Sequence, residues 1–127
     1  MLLFLKRLEK DRMYIKKQEI KKKTVLLDGR LVIKPLMEDE KISPTFESMW
    51  AEIPPRTETD DEYHSKEEVN IIISGNFTVE AGNEAYQAEP GDVITIPSNV
   101  RHKVINTSDK EGVWICLLWE PEKEQSR

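Results

Sequence analysis

Cysteine is almost missing from this chain: Cys116 is the only one. One thiol excludes an internal disulfide and a multi-cysteine zinc site. Cys116 lies in the apolar run Val113 to Trp119, so its expected role is that of a small buried hydrophobe. Histidine is nearly as scarce, with His64 and His102 alone, so the place of each is informative. Positive charge is not in excess either: 19 basic residues stand against 24 acidic ones, for a net charge of −5. A nucleic-acid binder usually has the opposite sign or a clear basic patch, and no nucleic-acid partner is expected. The one basic cluster, Lys16, Lys17, Lys21, Lys22 and Lys23, reads first as a solvated face and second as a docking surface for an acidic partner. Long apolar runs are missing too, since nothing approaches the ~20 residues of a membrane-spanning helix. Met1 to Leu5 is apolar, but Lys6, Arg7, Glu9 and Lys10 cut it off, and no signal-peptide pattern follows. No membrane partner is expected, and a cytoplasmic location is.

What remains is a globular composition. The 127 residues fit one domain, with 34% charged and 38% hydrophobic residues. Three parts are expected: an N-terminal extension over 1–22, a folded domain over 23–120 and a polar tail over 121–127. The extension has no glycine or proline, and Phe4, Leu5 and Leu8 recur at helical spacing for about two turns, which allows a helix. Met13 offers a second candidate start.

From Lys23 onward the helical signal is gone. Short apolar runs alternate with turn residues, as in all-β folds. Thr24 to Leu27 and Leu31 to Leu36 flank Asp28-Gly29, a hairpin signal, and Pro35 predicts an edge strand or an early strand end. Further strands are expected at Ser48 to Ile53, Val69 to Ile73, around Phe77 and Val79, at Asp92 to Ile96, His102 to Asn106 and Val113 to Trp119. Eight or nine short strands without room for crossover helices predict an antiparallel sandwich or closed barrel.

His64 sits just before the apolar strand that Glu68 opens, and His102 opens a later one. Glu62 and His64 are two apart and share a face if extended. Imidazoles and carboxylates converging from separate strands suit zinc, iron, manganese, nickel or copper. A packed or surface histidine remains the commoner reading of either residue alone.

Spacing adds a second argument. Gly91, Pro97, Asn99, His102 and Asn106 resemble the second sequence motif of the cupins, with asparagine in place of its middle glycine. Asparagine tolerates the left-handed backbone that a glycine would supply. His64, Glu68 and Gly75 resemble the end of the first cupin motif. The start of that motif departs from the family, with Arg56 in place of its glycine and Glu62 in place of its first histidine.

The resemblance implies a double-stranded β-helix, the jelly-roll barrel, commonly a homodimer. It implies a divalent metal held by Glu62, His64, Glu68 and His102. Exchanging a histidine for a carboxylate hardens the site and favours iron, manganese or zinc, with nickel a further candidate. The rival reading is a metal-free relative. Activities found among cupins are those of dioxygenases, isomerases or epimerases, lyases and decarboxylases, each on a small polar molecule. Glu62 is then either a ligand or a catalytic general base beside a three-ligand metal. A non-catalytic binding or sensor module is the alternative, and an inert scaffold barrel a third.

The other residues have structural expectations. Gly75, Gly82 and Gly91 are turn residues, and Asn106 is expected to satisfy backbone groups inside the barrel. Tyr63 should point outward. Val104, Ile71 and Ile73 are candidates for an apolar pocket wall. Trp50, Trp114 and Trp119 are expected in the core or at a dimer interface rather than against a ligand.

Overall fold

The computed structural model describes residues 24–26, 30–37 and 45–122. The extension over 1–22, the second candidate start, the lysine cluster and the Asp28-Gly29 turn lie outside them. Among the described residues nine strands follow one another: β1 (Thr24–Leu26), β2 (Leu31–Pro35), β3 (Glu47–Ile53), β4 (Glu67–Ser74), β5 (Phe77–Ala81), β6 (Glu84–Ala88), β7 (Val93–Ile96), β8 (His102–Asn106) and β9 (Gly112–Trp119). No helix occurs among the described residues.

The strands form two sheets. A six-stranded one has the order β1-β2-β3-β9-β4-β7, and a three-stranded one has the order β6-β5-β8. Every pairing is antiparallel. β9 comes last in sequence yet lies between β3 and β4, the jelly-roll topology that brings distant segments side by side. Between the sheets lies one apolar core, which includes Ile53, Ile72, Phe77, Val79, Ile96 and Trp114. Phe77 of the small sheet meets Trp114 of the large one edge to face, with ring centroids 5.5 Å apart. Gly112 makes this possible: a Cβ there would lie 2.3 Å from Phe77 Cζ.

Alternation fixes which side chains face inward. On β4 the buried positions are Glu68, Asn70 and Ile72. Ile71 is only half-buried and Ile73 is exposed, so neither walls an internal pocket as expected. The wholly apolar phase of this strand, Val69, Ile71 and Ile73, faces outward, while the inward phase carries Glu68 and Asn70 beside Ile72. Val104 does face inward.

β6 escapes the sequence reading. Glu84, Ala85, Tyr86 and Gln87 are all exposed, so this edge strand carries no apolar alternation; pairing with β5 holds it. β2 ends at Pro35 as expected but is not an edge, because β1 pairs with it from Thr24 to Leu26.

Two residues hold left-handed backbone without being glycine: Asn99 at φ 61° and Arg56 at φ 56°. Both stand where the resemblance puts a glycine. Asn106 is fully buried. Its Nδ2 donates to the carbonyls of Pro54 and Lys110 at 3.0 and 2.9 Å, and its Oδ1 accepts from Ser108 N at 2.9 Å.

Candidate metal centre

Three pieces of chain build the site. β4 supplies Glu68 on its inward face, and β8 supplies His102 at its first residue. The third piece, residues 57–64, is not a regular strand but runs antiparallel beside β8. Its bridges are Glu58 to Ile105 and Glu62 to His102. Four residue steps on one side thus oppose three on the other, the signature of a bulge that re-aims side chains. Thr59 sits at the irregularity: its N–H donates to the Val104 carbonyl, and its Oγ1 accepts from Val104 N, both at 2.9 Å. Beyond Glu62 the chain is pinned again, because Asn99 N donates to the His64 carbonyl at 2.8 Å.

The four expected residues meet. One ligand atom from each of Glu62, His64, Glu68 and His102 lies within 4.8 Å of all the others. Glu68 Oε1 is 3.2 Å from His64 Nε2 and 3.3 Å from His102 Nε2. Glu62 Oε2 is 3.4 Å from His102 Nε2 and 3.8 Å from His64 Nε2. Such separations approach the edges, ~3.3 to 3.5 Å, of a tetrahedron with bonds of ~2.0 to 2.1 Å around one centre.

Outer contacts orient each donor. His64 Nδ1 donates to the Lys66 carbonyl at 3.0 Å, and His102 Nδ1 donates to the Val100 carbonyl at 2.8 Å. A carbonyl only accepts, so both Nδ1 atoms carry protons and both Nε2 atoms turn to the centre. This is how metal-ligating histidines are commonly fixed. Asn70 Nδ2 donates to Glu68 Oε2 at 2.7 Å, which leaves Glu68 Oε1 for the centre. His102 Nε2 is buried and has no hydrogen-bond partner of good geometry, although two carboxylates lie close. An orphaned buried nitrogen aimed at three other donors suits a cation at their common centre.

Charge reinforces the cluster. Burial opposes the charge on His102, but Glu62, Glu68 and the Val100 carbonyl outweigh it and lift its pKa to about 10. Burial likewise opposes ionisation of Glu68, yet His102 and Asn70 draw its pKa below the ordinary 4.5. The side chain of Glu68 is only 6% exposed, whereas that of Glu62 is 48% exposed.

The cluster opens into a cavity of about 230 Å³. Val104 lines it as expected; Ile71 and Ile73 do not. Trp114 packs in the core and also forms part of the cavity wall, a role outside the sequence expectation. Cys116 is buried facing the same space. The sequence reading missed Asn70 and Thr59. Asn70 had one signal, the phase it shares with Glu68; Thr59 had none, because its role arises from the bulge. Tyr63 is exposed as expected.

Comparison with known proteins follows the same lines. An acireductone dioxygenase of Bacillus anthracis is 32% identical over 63 residues, 46% of this chain and 37% of that protein. The Bacillus mycoides protein of that name matches over the same shares at the same identity. The chain thus spans well under half the length of the curated relatives it matches. Among solved structures, a Cupin 2 conserved barrel domain protein from Salinispora arenicola superposes with a TM-score of 0.75. It is 23% identical, with 87% of this chain and 91% of that one covered. A predicted oxalate decarboxylase from Thermotoga maritima gives a TM-score of 0.71 at 15% identity, covering 86% and 100%. Likeness at these identities bears on the fold alone. The family model for the cupin domain matches residues 49–118. That match takes in more than half of the chain, from β3 to β9, and the chain belongs to the cupin family.

Proposed function

We propose that this cupin holds a divalent transition metal through Glu62, His64, Glu68 and His102 and acts on a small molecule in the barrel cavity. The observation that carries this reading is the buried His102 Nε2, which lacks a hydrogen-bond partner and faces the other three donors. Iron, manganese and zinc suit two imidazoles with two carboxylates, and nickel is a further candidate. Bound there, such an ion would polarise a carbonyl, activate water or bind oxygen. Dioxygenase chemistry is the first to test, given the acireductone dioxygenases matched over 63 residues. Isomerase or epimerase and lyase chemistry come next.

Glu62 has a distinct part in this reading. It is the most exposed of the four side chains and stands off from His64 by 3.8 Å. That freedom favours a general base, which takes a proton from a substrate in the cavity while His64, Glu68 and His102 form a two-histidine, one-carboxylate face. The expected homodimer and cytoplasmic setting rest on the sequence and the family resemblance.

A second reading has its own observation. Without an ion, His102 is held as an imidazolium between Glu62 and Glu68, so the cluster already contains one positive charge. A metal-free binding or sensor barrel would use it that way. Loading with iron(II), manganese(II), zinc(II) or nickel(II), then dialysis and elemental analysis, separates the two. The metal reading expects about one retained ion per chain, lost in His64→Ala. Retention in Glu62→Gln assigns Glu62 as a base; loss assigns it as a ligand. A wild-type chain that retains no ion leaves the metal-free reading standing.

A further inference from the structure

We infer that the molecule accepted here is polar at one end only: an oxygen-bearing head on an uncharged apolar body, with no phosphate or carboxylate on that body. The expected small polar molecule is thereby narrowed. The head rests on the proposed metal site; the body does not, because the wall is built independently of any ion.

The wall comes from strand alternation. Leu31 and Ile33 of β2, Met49 of β3, Val104 of β8, and Trp114 and Leu118 of β9 face the cavity. Apart from the cluster, polar groups in the lining are few. Thr24 is an exposed residue of the lining, Thr59 Oγ1 is already engaged by Val104 N, and the Cys116 thiol is pushed up in pKa, first by burial, and stays neutral. Among the described residues no lysine or arginine lines the cavity. With an ion bound and both histidines serving as neutral ligands, the charges on the described lining are those of Glu62 and Glu68, both negative. A divalent ion would offset those two carboxylates and leave no positive surplus for a second anion.

An anionic group on the body would therefore be buried without a partner. Sugar phosphates and dicarboxylates fit this wall poorly, whereas alkyl, thioether and aromatic groups fit it well. Size narrows the choice further. A cavity of about 230 Å³ lies below the ~300 to 1,000 Å³ typical of pockets for drug-sized ligands.

The test uses alkyl hydroxamates, in which one chelating head carries different bodies. Metal content is first fixed by elemental analysis. Calorimetry then compares acetohydroxamate, butyrohydroxamate and hexanohydroxamate with succinic monohydroxamate, which places a carboxylate at the end of a four-carbon body. Affinity should rise about fourfold per buried methylene. The succinic compound should bind at least about tenfold more weakly than butyrohydroxamate. Ile33→Trp, which fills the cavity, should remove the gain from the longer chains. Equal affinities along the series, or tighter binding of the anionic body, overturn the inference while leaving the metal site intact. Should the protein take up no metal, the proposed function fails on that result. The body is then tested with 1-hexanol in metal-free protein, read by amide shifts of Val104 and Trp114. Saturable shifts support the apolar body, and their absence overturns it.

Discussion

Asn70 and Glu68 lie two residues apart on the inward face of β4, and Asn70 Nδ2 donates to Glu68 Oε2 at 2.7 Å. This bond decides which carboxylate oxygen meets the two histidines. Asn70→Leu keeps the branched shape but removes the donor and frees Glu68 to rotate. We predict a 10- to 100-fold loss of metal affinity, the usual magnitude for an outer-shell partner, with the fold retained. Competition with a chelator measures it, and an unchanged affinity would show that Glu68 is held by packing alone.

Acid and metal should compete for His102. With its pKa at about 10 in the metal-free protein, the ring carries a proton that an incoming ion must displace. Apparent affinity should therefore climb by about tenfold per pH unit between pH 6 and 8 from this group alone. Calorimetry in buffers of different ionisation enthalpy counts the released proton.

The same groups set the pH dependence of metal-free stability. The raised pKa of His102 adds stability fully present below its unfolded value of 6.5, and lost as pH rises through about 10. The lowered pKa of Glu68 adds stability present above its unfolded value of 4.5, and lost as pH falls through the depressed value. Chelator-treated protein should thus show its highest Tm between pH 4.5 and 6.5. A Tm that rises steadily from pH 7 to 10 contradicts this account.

Arg56 holds left-handed backbone at φ 56°, while its guanidinium pairs with Asp109 Oδ1 at 2.8 Å. The backbone conformation costs a non-glycine residue about 1 kcal/mol. The pair is largely exposed and contributes about 0 to 1 kcal/mol. Arg56→Gly should therefore be neutral, or stabilising by up to about 1 kcal/mol. Denaturant unfolding checks it; a loss above about 2 kcal/mol would mean the pair matters more than its exposure allows.

Cys116 should be inert in the folded chain. Burial comes first among the causes that raise its pKa, followed by the charges of Glu68, Glu62 and Glu47, so little thiolate forms at neutral pH. An aromatic disulfide reagent at pH 8 should react only on addition of denaturant. Fast labelling of native protein would show that the cavity admits anionic reagents.

Sequence and structure agree most closely where spacing is local. His64, Glu68, His102 and Asn106 could be placed from their motifs because each motif covers one local segment, the first running into and along β4 and the second from β7 through its turn to β8. Asn99 could be assigned a left-handed backbone because its side chain is one of the few that tolerate it. Other features were hidden for stated reasons. Strand β6 buries only Ala88 and so gives no periodic signal. Ile71 and Ile73 were assigned to the wrong face because they belong to the apolar phase of β4, whereas the inward phase is the one that carries Glu68 and Asn70. The cavity wall is assembled from β2, β3, β8 and β9, whose adjacency depends on topology rather than on any single segment. The bulge opposite β8 depends on the pairing of Glu58 with Ile105 and of Glu62 with His102, 40 or more residues apart in sequence.

The central claim is that His64, Glu68 and His102 share one cation, with Glu62 beside it as a fourth ligand or a base. Anomalous diffraction from a crystal grown with zinc(II) tests it most directly. We predict one peak per chain within ~2.0 to 2.3 Å of His64 Nε2, His102 Nε2 and Glu68 Oε1. Glu62 Oε2 joins them if it is a ligand and stands clear if it is a base. No peak among these atoms at saturating zinc, with His102 Nε2 still facing the two carboxylates, would contradict the account.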